Sequence, residues 1–326
     1  LGHVSGRPVF HGETSSIASC LKGRRLLFYH DHNEKNEMNM TVKKGSGESP
    51  PGTVRIREVE CRSLLNKSGL ADYAVNCYAG CSHGCRYCYA RFATRYSHPG
   101  ESWGDFVDVK INAPTVLEKE LRRRRAGRVF MSSVCDGWQP AESGYGLSGQ
   151  CLEMLIRRGF PVTILTKSGL ILRDLGLLAG KPDVELGVTV TALNEDVRKY
   201  IEPAGAATES RFHVLEEARR RGIETYAFVG PLLPGLTDTE ENLSGLLKAI
   251  RESGVAYFYL DRLNPRFGVW PDVKALLERH HPHLVEHCRR ILFSAADRAA
   301  YTGRLVSMTR RIARKQGIED RMTFCF

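Results

Sequence analysis

Short apolar stretches rich in Val, Ile, Phe, Tyr and Thr alternate with longer segments of helical period from about residue 70 onward. Their positions predict six strands, at residues 71–75, 128–134, 161–166, 184–191, 224–229 and 256–260. The periodic segments predict helices near residues 88–96, 149–158, 170–178, 209–221, 239–253 and 273–279. Six βα units in sequence indicate an α/β protein with a parallel sheet, either an open doubly wound sheet or part of a barrel.

The segment at residues 30–52 breaks this pattern, because it is polar, nearly free of aliphatic side chains and rich in turn-forming residues. We expect a mobile loop or linker there, within an N-terminal extension of residues 1–60. His30 and His32 alternate along this tract, and nothing in the pattern makes them converge on a metal ion. The core is expected at residues 61–266, followed by a C-terminal helical extension at residues 267–326.

Length and composition narrow the class of protein. A chain of 326 residues with 42% hydrophobic side chains is long enough to bury a full core. It contains no uninterrupted apolar run of about 18 residues, and its first residues lack the charged and apolar blocks of a signal peptide. We therefore expect a cytoplasmic protein that has no membrane partner.

The charge balance is basic. Lys and Arg outnumber Asp and Glu by 47 to 37, and much of the excess lies in runs at residues 122–125, 219–221 and 310–315. Such runs attract phosphate, but solvated helix faces carry them as well. The charge pattern therefore makes nucleic acid a candidate partner without establishing it.

The residues best suited to chemistry follow predicted strands. A cysteine cluster follows the first strand, Cys135 and Asp136 follow the second, and Lys167 follows the third. Asp261 and Arg262 follow the sixth strand. Parallel βα proteins place their active sites at the carboxyl ends of the strands, so we expect these residues to share one site.

Four of the ten cysteines lie within the twelve residues from Cys77 to Cys88, which favours a metal centre over a disulfide framework. Cys81, Cys85 and Cys88 form the pattern C-x3-C-x2-C. Thiolates at this spacing can bind three corners of a cubane iron–sulfur cluster and leave the fourth iron open. Structural zinc with Cys77 or His83 as fourth ligand is one alternative, and a fully ligated electron-transfer cluster that recruits Cys77 is another. The chain lacks the second C-x2-C pair that zinc sites usually have.

The cysteine loop, with Tyr87 before its last cysteine, resembles the defining motif of the radical S-adenosylmethionine (SAM) superfamily. The strings GCSHGCRYCYAR, ILTKSGLILRDLGLL, LGVTVTAL and GPLLPGLTD, in this order within residues 73–265, resemble the spore photoproduct lyase-like branch. The resemblance implies a partial (βα)6 TIM-type barrel with N-terminal and C-terminal extensions. It also implies a 4Fe–4S cluster that binds SAM at its open iron, and an external low-potential electron donor of the flavodoxin or ferredoxin type. Cys77 would close that iron, so we predict that it is a neighbour of the cluster and not a ligand.

The resemblance also suggests roles for side chains outside the cysteine loop. Lys167, with Thr189 or Thr191 on the next strand, is expected to hold the SAM carboxylate. Gly230 lies in a turn expected to approach adenine, and Tyr89 is expected to line the substrate side. Three further residues are expected to contact SAM or the substrate, namely Asp136, Asp261 and Arg262.

Cys135 is the candidate catalytic thiol, because a thiol at the end of the second strand could return a hydrogen atom to a substrate radical. Members of the branch carry a cysteine on this strand, but the aligned position here is Ser133 and the thiol lies two residues further on. On a continuous strand that shift preserves the facing of the side chain. A merely buried cysteine is the alternative, since free cysteine is among the most buried residue types.

Taken together, the patterns and the resemblance predict a radical SAM enzyme of the lyase or oxidoreductase class. It would cleave SAM reductively to a 5'-deoxyadenosyl radical, which abstracts hydrogen from a polar substrate, with a nucleotide or nucleic acid as candidates. Modification of a small molecule or peptide is the alternative within the enzyme class. A non-catalytic iron–sulfur or zinc protein that binds nucleic acid is the alternative outside it.

Overall fold

The computed structural model describes residues 40–42 and 54–326, and an eight-stranded sheet forms the centre of this part. Seven of its strands are parallel, and they are β4 (Tyr73–Val75), β7 (Val129–Met131), β8 (Val162–Thr166), β9 (Val184–Val190), β10 (Glu224–Leu232), β11 (Tyr257–Arg262) and β12 (Met322–Phe324). The eighth, β3 (Asn66–Lys67), pairs antiparallel with β4 at one edge. The order β12-β11-β10-β9-β8-β7-β4-β3 is that of a partial TIM-type barrel that is not closed.

All six predicted strands are present and run parallel, which confirms the predicted fold class. Their nearly continuous apolar sequences reflect burial on both faces, as parallel sheets require. Strand β7 is shorter than predicted and ends at Met131, because Ser132 adopts a left-handed φ of 72° that a strand cannot accommodate. Ser133 and Cys135 therefore lie on a loop, and the expectation that strand alternation fixes their facing is wrong.

Helices cover the sheet, and the structure contains more of them than the periodicity predicts. The α-helices are α1 (Ala113–Leu121), α2 (Glu142–Tyr145), α3 (Leu147–Arg157), α4 (Leu175–Leu178), α5 (Glu195–Ile201), α6 (Thr208–Arg220), α7 (Glu240–Ser253), α8 (Val269–His280), α9 (Val285–Phe293) and α10 (Ala295–Lys315). Short 3₁₀ helices occur at Tyr89–Ala93, Gly169–Asp174, Pro282–Leu284 and Glu319–Arg321. The helix predicted near residues 88–96 is one of these 3₁₀ turns. None of these helices is long and apolar enough to cross a membrane.

A second sheet of four strands, β1 (Met40–Val42), β2 (Arg55–Cys61), β6 (Phe106–Lys110) and β5 (Tyr78–Ala79), was not predicted. Strand β2 pairs parallel with β6, and β6 pairs antiparallel with β5, which directly precedes the cysteine loop. Strand β1, inside the polar segment expected at residues 30–52, pairs antiparallel with β2. The rest of that segment, including His30 and His32, lies outside the described residues. The division into an extension, a core and a C-terminal region stays a prediction.

The sheet separates two of the arginine runs from the carboxyl ends of the strands. Residues 122–125 follow α1 and lead into β7, and residues 219–221 end α6 and lead into β10. Both runs therefore lie at the amino edge of the sheet, where cations at helix C-termini are favoured by the helix dipole. In the third run, Arg311 and Arg314 pair with Glu240 and Glu319. The runs at residues 122–125 and 219–221 are thus remote from a site at the carboxyl edge.

Gly187 lies where β9 faces the ring of Tyr226 on β10, and the packing leaves no room for a side chain. A Cβ atom at residue 187 would lie 2.2 Å from Cζ of Tyr226. We expect Gly187→Ala to lower the free energy of unfolding by about 1–3 kcal/mol, measured by urea denaturation, because the tyrosine must shift in a filled core. The control Gly303→Ala, on the exposed face of α10 with open space around it, should raise stability by about 0.5–1 kcal/mol. Equal effects of the two substitutions would contradict this packing.

Candidate active site

The cysteine loop connects β5 to the 3₁₀ turn at Tyr89–Ala93, and it forms one wall of a pocket at the carboxyl edge of the main sheet. Cys81, Cys85 and Cys88 all line this pocket. Gly80 permits the tight entry to the loop, since its φ is 80° and a Cβ atom there would lie 2.5 Å from the main-chain oxygen of Phe106. The three thiols that sequence spacing predicts as ligands are therefore brought to one surface.

Cys77 has a different environment. Its side chain is 1% exposed, and its thiol hydrogen-bonds with Cys151 of α3 in the protein core. It is absent from the pocket lining, which includes Cys81, Cys85 and Cys88. The pocket is therefore lined by three thiols of this cysteine-rich segment, and not by four.

The three loop thiols suit a cluster better than a single ion. Among the described residues, no three His, Cys, Asp or Glu side chains converge closely enough for one metal ion. A cubane cluster does not require its ligands to converge on one point, because each of its cysteines binds a different iron atom. Burial raises the pKa of Cys81, Cys85 and Cys88, and the charge of Lys167 opposes this shift at Cys85 and Cys88. Buried thiols of this kind need a bound positive centre to ionise, which fits the iron–sulfur group.

The remaining predicted residues, with one exception, line the same pocket. They are Cys135, Tyr89, Lys167, Thr189, Asp136, Gly230, Asp261 and Arg262. The exception is Thr191, which is fully buried below the pocket, where its hydroxyl contacts Glu202 and donates to the main-chain oxygen of Gly230. Of the two candidate threonines, the structure thus presents only Thr189 to the pocket.

Glu202 and Arg211 form an ion pair beneath the cysteine loop, and both side chains are 0% exposed. The hydroxyl of Tyr87 donates to Glu202, and a guanidinium nitrogen of Arg211 donates to the main-chain oxygen of Thr189 at 2.8 Å. Burial alone would raise the pKa of Glu202, but the charges of Arg211 and Lys167 hold it at about 2. Glu202 is therefore ionised across the working range of pH, and it ties the cysteine loop to α5, α6 and β9.

Further hydrogen bonds, two of them between main-chain atoms, also attach the cysteine loop to its neighbours. The amide of Arg86 donates to the oxygen of Ile201 at 2.9 Å, and the amide of Ala204 donates to the oxygen of His83 at 3.2 Å. On the opposite side of the loop, the buried side chain of Gln139 accepts from the amide of Ser82 at 2.9 Å. The loop is thus held from both sides before any cofactor is considered.

Asp136 joins the ends of β7 and β8. One carboxylate oxygen accepts from the hydroxyl of Thr166 at 2.8 Å, and the other accepts from the main-chain amide of Lys167 at 2.7 Å. The charge of Asp136 also faces His83, whose Nδ1 lies 3.5 Å away. Asp136 therefore fixes the start of the segment that carries Lys167.

The side chain of Asn76 holds the loop that carries Cys135. Its amide nitrogen donates to the hydroxyl of Ser133 at 2.8 Å, and its oxygen accepts from the amide of Val134 at 3.0 Å. The thiol of Cys135 lies 3.6 Å from the same oxygen. Burial raises the pKa of Cys135 to about 12, so the sulfur keeps its hydrogen near neutral pH.

The far wall of the pocket comes from β10 and β11. A Cβ atom at residue 230 would lie 2.7 Å from the main-chain oxygen of Asp261, so Gly230 permits the close approach of these two strands. Burial raises the pKa of Asp261 to about 7. A carboxyl group with this pKa can hold or release a proton at physiological pH.

Sequence reasoning missed Glu202, Arg211, Asn76 and Gln139. The position of Asn76 could have indicated a place in the site, because this residue directly follows β4. Glu202 and Arg211 had none, since a Glu and an Arg near predicted helices are ordinarily solvated residues. Their burial depends on the crossing of α5, α6 and the cysteine loop, which no local pattern encodes.

Comparisons with known proteins agree with this geometry. Residues 75–247 match the family profile described as the Radical SAM superfamily. An uncharacterized protein of Methanocaldococcus jannaschii is 32% identical over 235 residues, which cover 72% of this chain and 86% of that protein. An uncharacterized protein of Mycobacterium tuberculosis is 34% identical over 250 residues, which cover 73% of this chain and 74% of that protein.

A solved structure has a similar fold. It is a spore photoproduct lyase mutant with bound AdoMet and dinucleoside spore photoproduct. The TM-score is 0.61 at 15% identity, and the match covers 88% of this chain and 87% of the other. At this identity the likeness shows the fold alone.

We expect Glu202→Gln to destabilise the protein by about 3–5 kcal/mol in urea denaturation, because the guanidinium of Arg211 stays buried without a counter-charge. The same substitution should lower the iron content after reconstitution, since the hydrogen bond from Tyr87 weakens. The matched control is Glu118→Gln, which removes an exposed carboxylate paired with the exposed Arg122 one turn along α1 and should cost at most about 1 kcal/mol. Comparable losses in both variants would show that the buried pair has no special role.

Proposed function

The chain belongs to the radical SAM superfamily, and we propose that it cleaves SAM reductively to act on a polar substrate, a nucleotide or nucleic acid. Members of this superfamily are enzymes that use a 4Fe–4S cluster and SAM, and these are the cofactors of this chain. They require an external electron donor, for which we propose a flavodoxin or ferredoxin. When bound, the cluster and SAM supply a 5'-deoxyadenosyl radical and methionine after one-electron reduction.

One observation supports this proposal above all others. The three thiols of the C-x3-C-x2-C loop share a pocket with Lys167 and Thr189, while the fourth nearby thiol, Cys77, is buried elsewhere. A pocket with three cluster ligands and an adjacent cation has room for an anionic chelating group at the remaining iron. The burial of Cys77 also disfavours a fully ligated electron-transfer cluster that recruits it. His83 lines the pocket, but its Nδ1 faces Asp136, and no three His, Cys, Asp or Glu side chains of the described residues converge closely enough for a zinc ion.

Each pocket residue has a proposed role that follows from its position. Cys81, Cys85 and Cys88 hold the cluster. Lys167 binds the SAM carboxylate, helped by the hydroxyl of Thr189. Burial lowers the pKa of Lys167, but the charges of Cys85 and Glu202 outweigh this effect and keep the amine protonated.

The other pocket residues complete the site. Gly230 allows adenine to approach the backbone between β10 and β11, and Asp261 and Arg262 offer polar contacts to SAM or the substrate. Asp136 positions Lys167 through the main-chain hydrogen bond described above. Cys135 is proposed to donate a hydrogen atom to the substrate radical, and Tyr89 lines the side from which that substrate enters.

A small-molecule or peptide substrate is the second candidate. The observation that favours it is the thiol at Cys135 in place of Ser133, on a loop and not on a strand. A thiol at residue 135 instead of residue 133 would lie next to a different atom of the substrate. The dinucleoside spore photoproduct bound in the structurally similar lyase supports the nucleotide hypothesis.

Anaerobic reconstitution tests the proposal. We expect about four iron atoms per chain, and release of 5'-deoxyadenosine on addition of SAM and dithionite, measured by liquid chromatography and mass spectrometry. Lys167→Ala should raise the SAM concentration for half-maximal cleavage about 10- to 100-fold, since a charge-assisted contact is lost. The exposed Lys181→Ala is the matched control and should leave that concentration unchanged. A cluster that never cleaves SAM would refute the proposal.

A further inference from the structure

Exposed apolar side chains gather at one place beside the pocket. Among the described residues, the large apolar side chains that are exposed are Ile56, Phe92, Tyr96, Leu193, Phe267 and Phe293. Tyr96 is 83% exposed and Phe267 is 62% exposed, and the guanidinium of Arg95 lies over both rings, 4.5 and 5.7 Å from their centroids. Phe92, Arg95, Tyr96 and Phe267 are called here the aromatic ridge. Large rings with this much exposed surface, gathered at one place, indicate a binding surface.

The aromatic ridge reaches the rim of the pocket. The ring of Phe92 stacks on Tyr89, which lines the pocket, with centroids 6.3 Å apart and planes 19° apart. The guanidinium of Arg266, which is next to Phe267 in the chain, lies 5.9 Å from the ring centroid of Tyr89. Stacked rings and guanidinium groups therefore lead from the pocket outward to Tyr96.

A basic groove runs beside the ridge. Its lining includes Arg86, Arg95 and Arg279, with Phe267 and Tyr200 among its rings. None of these three arginines forms an ion pair with a carboxylate of residues 54–326, so their charge is available to a ligand. Glu101 and Asp272 also line the groove, but they pair with Arg57 and Arg91. Among the described residues, the groove thus combines unpaired arginines with flat apolar faces.

We propose that the aromatic ridge and the basic groove bind a nucleic-acid strand with unpaired bases. The phosphodiester backbone lies along the arginines of the groove, and bases stack on Tyr96 and Phe267. Single-stranded nucleic acid is bound in this way, by a cationic groove that follows the backbone and by rings that stack with any base. The proposal rests on the proposed function, since it gives the pocket its substrate class.

Two features favour this ligand over an acidic redox protein. The guanidinium of Arg95 already covers both exposed rings, and such a stack suits the face of a base, which adds a further planar layer. The ridge is also continuous with Tyr89, so a strand bound there would present a neighbouring nucleotide to the pocket. The arginine runs at residues 122–125 and 219–221 lie at the opposite edge of the sheet and cannot take part.

The test uses the full chain with its cluster reconstituted anaerobically, and fluorescein-labelled oligonucleotides of about twelve residues. Fluorescence anisotropy compares single-stranded DNA, single-stranded RNA and duplex DNA over a range of salt concentrations. Tyr96→Ala and Phe267→Ala should each weaken single-strand binding about tenfold or more. Arg95→Ala should lower the slope of log affinity against log salt by about 0.7.

Matched controls come from the same chain. Ile56→Ala removes an apolar side chain of β2 that is 43% exposed, and Arg124→Ala removes an exposed arginine at the amino edge of the sheet. Both should bind single strands as the unmodified chain does. Equal binding by the ridge variants and the unmodified chain would overturn the proposal, as would tighter binding of duplex than of single strands.

Cleavage of SAM with dithionite and without oligonucleotide separates this proposal from the proposed function. The ridge variants should release 5'-deoxyadenosine at the unmodified rate, because the ridge lies outside the SAM pocket. Failure of the unmodified chain to cleave SAM would refute the proposed function whatever the binding data. Ridge variants that bind oligonucleotides normally but lose reduction by flavodoxin would show a docking surface for a redox protein, which contradicts the nucleic-acid proposal.

Discussion

The ion pair between Glu202 and Arg211 holds the cysteine loop in place, and the rest of the site depends on that loop. Burial of a charge pair is costly unless its hydrogen bonds are satisfied. Here Tyr87 and Thr191 complete the contacts of Glu202, and main-chain oxygens of β9 and the segment after α5 complete those of Arg211. Because Tyr87 lies between Cys85 and Cys88, two of the proposed cluster ligands, this buried pair fixes the wall of the pocket that these thiols line.

The topology of the main sheet brings the other walls of the pocket together. Parallel strands end at a common edge, so residues at the carboxyl ends of β8, β9, β10 and β11, and in the loops that follow β5 and β7, line one pocket. Asp136 ties the ends of β7 and β8, and Asn76 ties the loop after β7 to the end of β4. The pocket is therefore organised before SAM arrives, which reduces the entropy lost on binding.

The main sheet and the residues facing the pocket could be predicted from the sequence. An alternation of strands and helices places the carboxyl ends of the strands together whatever the details of packing. The second sheet could not be predicted. Strand β5 has only two residues, and β6 has no distinctive hydrophobic pattern in the sequence. The end of β7 depends on the left-handed φ of Ser132, which sequence alone does not reveal. The predicted strand places Thr189 and Thr191 on one face, but β9 ends at Val190 and only Thr189 reaches the pocket, because Tyr87 and Glu202 occupy the space next to Thr191. Long-range contacts of this kind decide the roles of individual side chains.

The central claim is that three thiolates, from Cys81, Cys85 and Cys88, hold a cluster whose fourth iron is open to SAM. Iron-57 Mössbauer spectroscopy of the anaerobically reconstituted protein tests it most directly. The account predicts one iron site distinct from the other three, whose parameters change when SAM is added, and the same spectrum for Cys77→Ser because that thiol packs against Cys151. Four equivalent irons that ignore SAM, or loss of the cluster in Cys77→Ser, would contradict it.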